Sequence, residues 1–422
     1  MAHVVTCFVR ERGQILLTRR SDAVGTYRDH WAGVSGYVEG DPAAAERDAW
    51  RELREETGLT REALELVRAG DSLTVDDEEG PFTVHPFLFE SDTREVRTNE
   101  ELAAVEWVDP TAIRSRRTVP RLWDTWRRVG PTVETVRSDR THGSAWIAAR
   151  ALEALRDAAA DADEWATVAA VARDLRDARS GMAAVRNRVN RVMSAASRSP
   201  DSVVKRAISA RDAALDADSD AAQTAADRLR ADGATRVATL SRSGTVREAL
   251  ETCDPEAVVV AESRPEREGI EVAEWAADAT NSDVTVTTEA ALPSALAACD
   301  VDAALVGADA VLPDGTVVNK TGTRVLGLAA QAQGVPVFVV SARDKVVAAD
   351  SDSETGRSAT TEQSRPESVY DGDADVEVHA PTFEFVPGEL VDGIATEGGF
   401  LHREEVSQIA ERHAADAQWA VE

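Results

Sequence analysis

Lysine is nearly missing from this chain of 422 residues, which carries it only at Lys205, Lys320 and Lys345 and otherwise relies on arginine. Cysteine is equally sparse. Cys7, Cys253 and Cys299 have no metal-ligand spacing and are odd in number, which excludes a complete disulfide framework and fits a reducing cytoplasm. No run approaches the roughly 18 consecutive apolar residues that cross a bilayer. The start, MAHVVTCFVRERG, lacks the basic, then apolar, then small-residue order of a signal peptide. A cytoplasmic protein with no membrane partner is expected. Positive charge is scarce overall, since 47 basic against 76 acidic residues leave a net charge of -29. Such a surface repels phosphate backbones and excludes general nucleic-acid binding. Asp and Glu are spread through every segment, so the acidity suits a cytoplasm whose high salt screens like-charge repulsion.

What is present is ample apolar material, 43% of residues, enough for two or three full cores. The runs HVVTCFV (3–9) and QILLT (14–18) flank RERG and predict a hairpin. Asp41 as a cap, Pro42 at the first helical position and Gly58 as a stop bracket a helix of about four turns. Further strands and the segment VPRLWDTWRRV close a first domain over 1–130. Residues 138–232 form Ala/Leu/Arg-rich helical segments, in which Ile147, Ala151, Leu152 and Leu155 make one apolar stripe. From 233 to 422 short apolar runs (RVATL, AVVVA, VTVTT, AALVGA, VPVFVV) alternate with helical or turn segments at the spacing of a parallel, doubly wound sheet. Residues 349–375 are too polar to bury and are expected to be a flexible insertion.

Two groups of residues carry chemistry. In WRELREETGL, Glu52, Glu55 and Glu56 lie at i, i+3 and i+4 and so share one helix face beside Arg51. Charge pattern alone leaves two readings open, a solvated acidic face or carboxylate ligands for a hard divalent cation. The string Arg51–Leu59 matches the R-E-U-x-E-E-x-G-U core of the Nudix hydrolases, and residues 3 to about 125 resemble that family in order. The resemblance implies an α/β/α sandwich and Mg²⁺- or Mn²⁺-assisted hydrolysis of a nucleoside diphosphate linked to another group. It also implies Glu52, Glu55 and Glu56 as metal ligands or base, Arg51 orienting a glutamate, and a further acidic ligand among Glu100, Glu101 and Glu106. The upstream part of the box departs from the family, with Tyr37 and Ala43 where glycine and glutamate are usual and Gly36, Glu39 and Asp41 close by.

The second group, VGADAVLPDGTVVNKTGT (306–323), follows an apolar run and sets Asp309, Asn319 and Lys320 at the carboxyl end of a strand, where open α/β sheets bind ligands. By pattern alone a plain strand and hairpin with surface polar groups is equally open. With AESRPEREG, VPVFVVSARDK and PTFEFVPGELVDGIATEGG it resembles the translation initiation factor 2B alpha/beta/delta family, which includes sugar-phosphate isomerases, over residues 138–405. The resemblance implies a Rossmann-like fold, homo-oligomers, a contact with initiation factor 2, and a site for a sugar phosphate or nucleotide effector. Arg179, Ser241, Ser243, Gly244, Thr245, Asp309, Asn319, Lys320 and Lys345 would form that site. The isomerases pair a cysteine with the aspartate matched by Asp309, whereas this chain has Ser241, a poor proton-transfer group. His142 replaces an arginine before Gly143, and no proline follows Arg179. A hydrolase joined to a ligand-binding regulatory module is therefore expected. The alternatives are a translation factor with an accessory first domain, or an isomerase that works with Ser241.

Overall fold

Strands β1 (Ala2–Glu11) and β2 (Gln14–Arg20) meet at Arg12 and Gly13, whose φ values of 47° and 77° give the two-residue turn that matches strand twist. The structure is a computed structural model that describes residues 2–77, 80–349 and 363–421. Its chain divides into two compact units. The first takes Met1–Thr135, Arg150–Val168 and Ser199–Arg211, and the second takes Val136–Ala149, Ala169–Arg198 and Asp212–Glu422. Of the polar insertion expected over 349–375, residues 350–362 lie outside the described residues.

The first unit is built on a sheet whose other strands are β3 (Trp31–Ala32), β4 (Val34–Tyr37), β5 (Leu64–Ala69), β6 (Leu73–Asp77), β7 (Gly80–Ser91) and β8 (Leu102–Val108). Its order is β3-β2-β1-β7-β5, with β4 also on β1, β6 on β7 and β8 on β2. Successive side chains of a strand point to opposite faces, and β1 uses this fully. Val5, Cys7 and Val9 pack under helix α1 (Ala45–Thr57), while Phe8 packs with Leu122 and Trp126 of α2 (Leu122–Val129) on the other face. The result is the expected α/β/α sandwich. Asp41 accepts from the Ala43 amide at 2.9 Å with Pro42 behind it, in a 3₁₀ turn that leads into α1. Gly58 ends α1 at φ 71°, its N–H donating to the Arg54 carbonyl at 3.0 Å.

Between the two α/β parts the chain runs through α3 (Val133–Ser138), α4 (Ser144–Asp161), α5 (Trp165–Asp177), α6 (Ala183–Ala195) and α7 (Pro200–Ala231). The second unit then alternates β9 (Arg236–Leu240), α8 (Gly244–Cys253), β10 (Ala257–Ala261), α9 (Glu268–Ala279), β11 (Asp283–Thr287), α10 (Leu292–Ala298) and β12 (Ala303–Val306). The small strands β13 (Ala310–Val311) and β14 (Val317–Lys320) follow, then α11 (Thr323–Gln333), β15 (Val337–Val340) and β16 (Phe383–Val386). β17 (Gly393–Thr396), β18 (Gly399–Leu401) and α12 (Arg403–Asp416) end it. The main sheet runs β11-β10-β9-β12-β15-β17-β18 and is parallel except for β18. In chain order its six parallel strands read 3-2-1-4-5-6, the doubly wound arrangement whose order reverses between β9 and β12. Ser241 directly follows β9, and Gly307 to Asp309 directly follow β12, so both sets of residues emerge at the carboxyl ends flanking that reversal.

Candidate functional site

In the first unit, α1 presents Arg51, Glu52 and Glu55 to a cavity of about 470 Å³. Its opposite wall is apolar and aromatic, with Val4, Tyr27, Val75, Phe82, Val84 and Leu122. Arg51 donates to Glu52 Oε1 at 2.7 Å and to the Tyr37 carbonyl at 3.0 Å, and it also pairs with Glu39. This fork fixes the Glu52 carboxyl against Gly36, where a methyl group would overlap it. Gly36 and Glu39 thus serve the helix from the irregular upstream loop. Glu56 lies beneath, only 3% exposed. Burial, then the charges of Glu52 and Glu101, push its carboxyl up to about 8, opposed by Arg20 and by a bond from the Ser35 backbone.

The three candidates for a further acidic ligand are separated by the structure. Glu101 lines the cavity and acts electrostatically on both Glu52 and Glu56. Glu106 is paired with Arg116 at 2.6 Å, and neither Glu106 nor Glu100 is among the residues lining the cavity. Arg20 escaped the sequence reading. It lines the same cavity and is held by bonds to Ser35 Oγ at 3.2 Å and the Thr26 carbonyl at 3.1 Å. Among the described residues no three His, Cys, Asp or Glu side chains are drawn together tightly enough to coordinate an ion. Glu52 and Glu101 on the cleft wall, with Glu56 beneath, are nevertheless carboxylate oxygens of the kind a hard divalent cation takes.

In the second unit a cavity of about 600 Å³ opens at the reversal point of the sheet. It gathers Ser241, Ser243, Gly244, Thr245, Asp309, Asn319, Lys320 and Lys345, with Glu268, which sequence reading had not singled out. Ser243 caps α8 by accepting from the Val246 amide at 3.3 Å, so the start of that helix faces the cavity. Lys345 Nζ donates to the Ala308 carbonyl at 2.9 Å, and Asn319 Nδ2 donates to Thr323 Oγ1 at 3.0 Å. Ser241 Oγ donates to Glu268 Oε1 at 2.5 Å, and Lys320 Nζ lies 3.1 Å from Glu268 Oε2. Arg179 is not part of this lining. Its guanidinium donates to the Asp139 carbonyl, in the loop that leads to Gly143 and Ser144 at the cavity rim. Within that loop His142 Nδ1 lies 2.8 Å from Asp139 Oδ2, and its ring stacks on Trp146 at 3.8 Å.

Together the two units define a protein with two α/β parts, a sandwich with a carboxylate-lined cleft and a doubly wound domain with a polar crevice at its switch point. The chain belongs to the initiation factor 2 subunit family, whose sequence profile matches residues 140–403, and the NUDIX domain profile matches residues 1–129. It is 30% identical over 151 residues to the methylthioribose-1-phosphate isomerase of Geobacillus thermodenitrificans, covering 34% of this chain and 42% of that protein. The chain spans less than half the length of curated relatives that it matches, 42%, 32% and 48% of three of them. Among solved structures, the Pyrococcus horikoshii translation initiation factor eIF-2B aligns with a TM-score of 0.50 at 23% identity, over 64% of this chain and 94% of that one. Chaetomium thermophilum eIF2B beta aligns with a TM-score of 0.51 at 17% identity, over 67% and 90%. These likenesses establish the fold.

Proposed function

We propose that the first domain, residues 1–130, is a Mg²⁺- or Mn²⁺-dependent hydrolase of a nucleoside diphosphate linked to another group. The observation that carries this reading is a cleft lined by Glu52, Glu55 and Glu101, with Glu56 buried beneath it and electrostatically coupled to Glu52 and Glu101, and with Arg51 holding Glu52 in place. Glu52, Glu56 and Glu101 would hold the cation, which when bound offsets charge developing on phosphoryl oxygens. Arg20 faces the same cleft and would bind a phosphate oxygen. Glu55 is exposed on the cleft wall, placed to take a proton from an attacking water. The apolar wall with Tyr27 and Phe82 suits a flat, weakly polar group. Glu52→Gln and Glu56→Gln should each lower metal-dependent release of phosphate or nucleotide from a diphosphate panel by roughly 10²-fold or more. Full activity in both variants would refute the assignment.

For the second cavity we propose a sugar-phosphate site, in which backbone donors at the start of α8 and the Lys345 ammonium meet the phosphate. Isomerisation of that sugar is the reading supported by the relatives that carry the isomerase name and by two carboxylates, Glu268 and Asp309, lining one cavity, which reverses the expectation of a purely regulatory module. Against it stands Ser241, whose hydroxyl is engaged by Glu268. ¹H NMR of the full chain with methylthioribose 1-phosphate decides between them. An unchanged substrate spectrum supports the regulatory role, and appearance of the keto sugar establishes the isomerase.

A further inference from the structure

Glu268 is the residue of the second cavity with the most unusual surroundings. It stands at the first position of α9, it is half-buried, and its two oxygens are divided between a hydroxyl and an ammonium. Lys320 beside it is only 5% exposed, so its charge is balanced within the protein and not by solvent. Burial alone would raise the Glu268 carboxyl, but the bonds from Ser241 and Lys320 outweigh it and hold the group below the usual carboxylate range. It is therefore anionic at neutral pH. The lining as a whole carries four carboxylates, Asp218, Glu248, Glu268 and Asp309, against three cations, Arg242, Lys320 and Lys345. One of those cations, Arg242, is already paired with Glu271 at 3.1 Å.

This charge balance is wrong for a ligand with phosphates at both ends and right for one with a phosphate at one end only. Resting on the sugar-phosphate reading of the cavity, we infer that Glu268 is a specificity residue. Its carboxylate accepts hydrogen bonds from the hydroxyls of a singly phosphorylated sugar and bars a second phosphate from Lys320. The two ends of the cavity then have distinct tasks. Ser243, Gly244 and Thr245 at the start of α8, with Lys345, take the phosphate, while Glu268 and Asn319 take the polyol. A second phosphate brought to Lys320 would meet Glu268 at contact distance, and a carboxylate and a phosphate dianion repel strongly where water is largely excluded.

Titration calorimetry on the full chain in high salt tests this with ribose 5-phosphate, ribose 1,5-bisphosphate and inorganic phosphate. Wild type should bind ribose 5-phosphate at least about tenfold more tightly than the bisphosphate. Glu268→Gln should bind ribose 5-phosphate more weakly and close that gap, because Lys320 is released to meet the second phosphate. Glu268→Asp, which keeps the carboxylate, should retain the preference, separating charge from packing. A wild-type preference for the bisphosphate, or a ratio unmoved by Glu268→Gln, overturns the role of Glu268 while leaving the site intact. Absence of binding to any of the three overturns the sugar-phosphate site itself, and the inference with it.

Discussion

Gly36 has no room for a side chain, because the Glu52 carboxyl occupies the space where its Cβ would stand. Gly36→Ala should therefore displace Glu52 from Arg51, and misplacement of a catalytic group by about 1 Å can cost roughly 10²-fold in rate. The expected result is a loss of hydrolysis of that order with thermal stability nearly unchanged, read from steady-state rates beside a melting curve. A variant with normal rates would mean that Glu52 tolerates movement. At this scale the sequence was informative only where neighbours in space are neighbours on a helix. The trio of glutamates and Arg51 was legible because helical spacing puts them on one face. Arg20, Glu101 and Glu268 reach their cavities from other elements, and no local pattern marks them among so many charged residues. Arg179 shows the converse, since a residue suited to phosphate is used to hold the backbone at Asp139.

Helix α4 carries the main surprise among the elements. Its apolar stripe was legible, and Ile147, Ala151, Leu152 and Leu155 are all fully buried. The charged residues between them are buried as well, with Arg150, Glu153, Arg156 and Asp157 at most 4% exposed. Within the first unit they form a cluster with Arg10 of β1, Asp109 just after β8 and Trp126 of α2. Glu153 lies 3.3 Å from Arg10 and 3.0 Å from Arg150, Arg156 lies 2.9 Å from Asp109, and Asp157 accepts from the Trp126 indole at 2.8 Å. Periodicity cannot reveal such a face, because it assumes that charge means water. Burial opposes ionisation of Glu153, but the surrounding arginines, Arg150 first, hold its carboxyl below the usual range. Glu153→Gln leaves Glu90, which is 2.6 Å from Arg10 and 3.7 Å from Arg150, as the carboxylate facing both buried arginines, and should cost about 3 kcal/mol, measured by denaturant unfolding. A carboxyl depressed in the folded state contributes its stability above the unfolded value of about 4.3. The difference between wild type and variant should thus be full at neutral pH and shrink as pH falls below that value. A loss under 1 kcal/mol would show that the cluster contributes little.

For the whole molecule, the fold was legible in outline because both α/β parts announce themselves by short apolar runs and helix stops. The order of strands was not, since β1 pairs with β7 from some 80 residues away. That order matters to function, as the 3-2-1-4-5-6 sequence of strands is what brings the end of β9 beside the end of β12 and so joins Ser241 to Asp309. A net charge of -29 makes self-repulsion a property of the entire chain, so assays belong in high salt where it is screened. The central claim is that the carboxylates around Glu52 form a working cation site. The most direct test is ³¹P NMR of diphosphate turnover by the full chain, stripped with a chelator and then titrated with Mg²⁺, beside Glu52→Gln. The account predicts no turnover after stripping, recovery on Mg²⁺ addition, and a variant that does not recover. Turnover that survives stripping, or a variant that recovers fully, would contradict it.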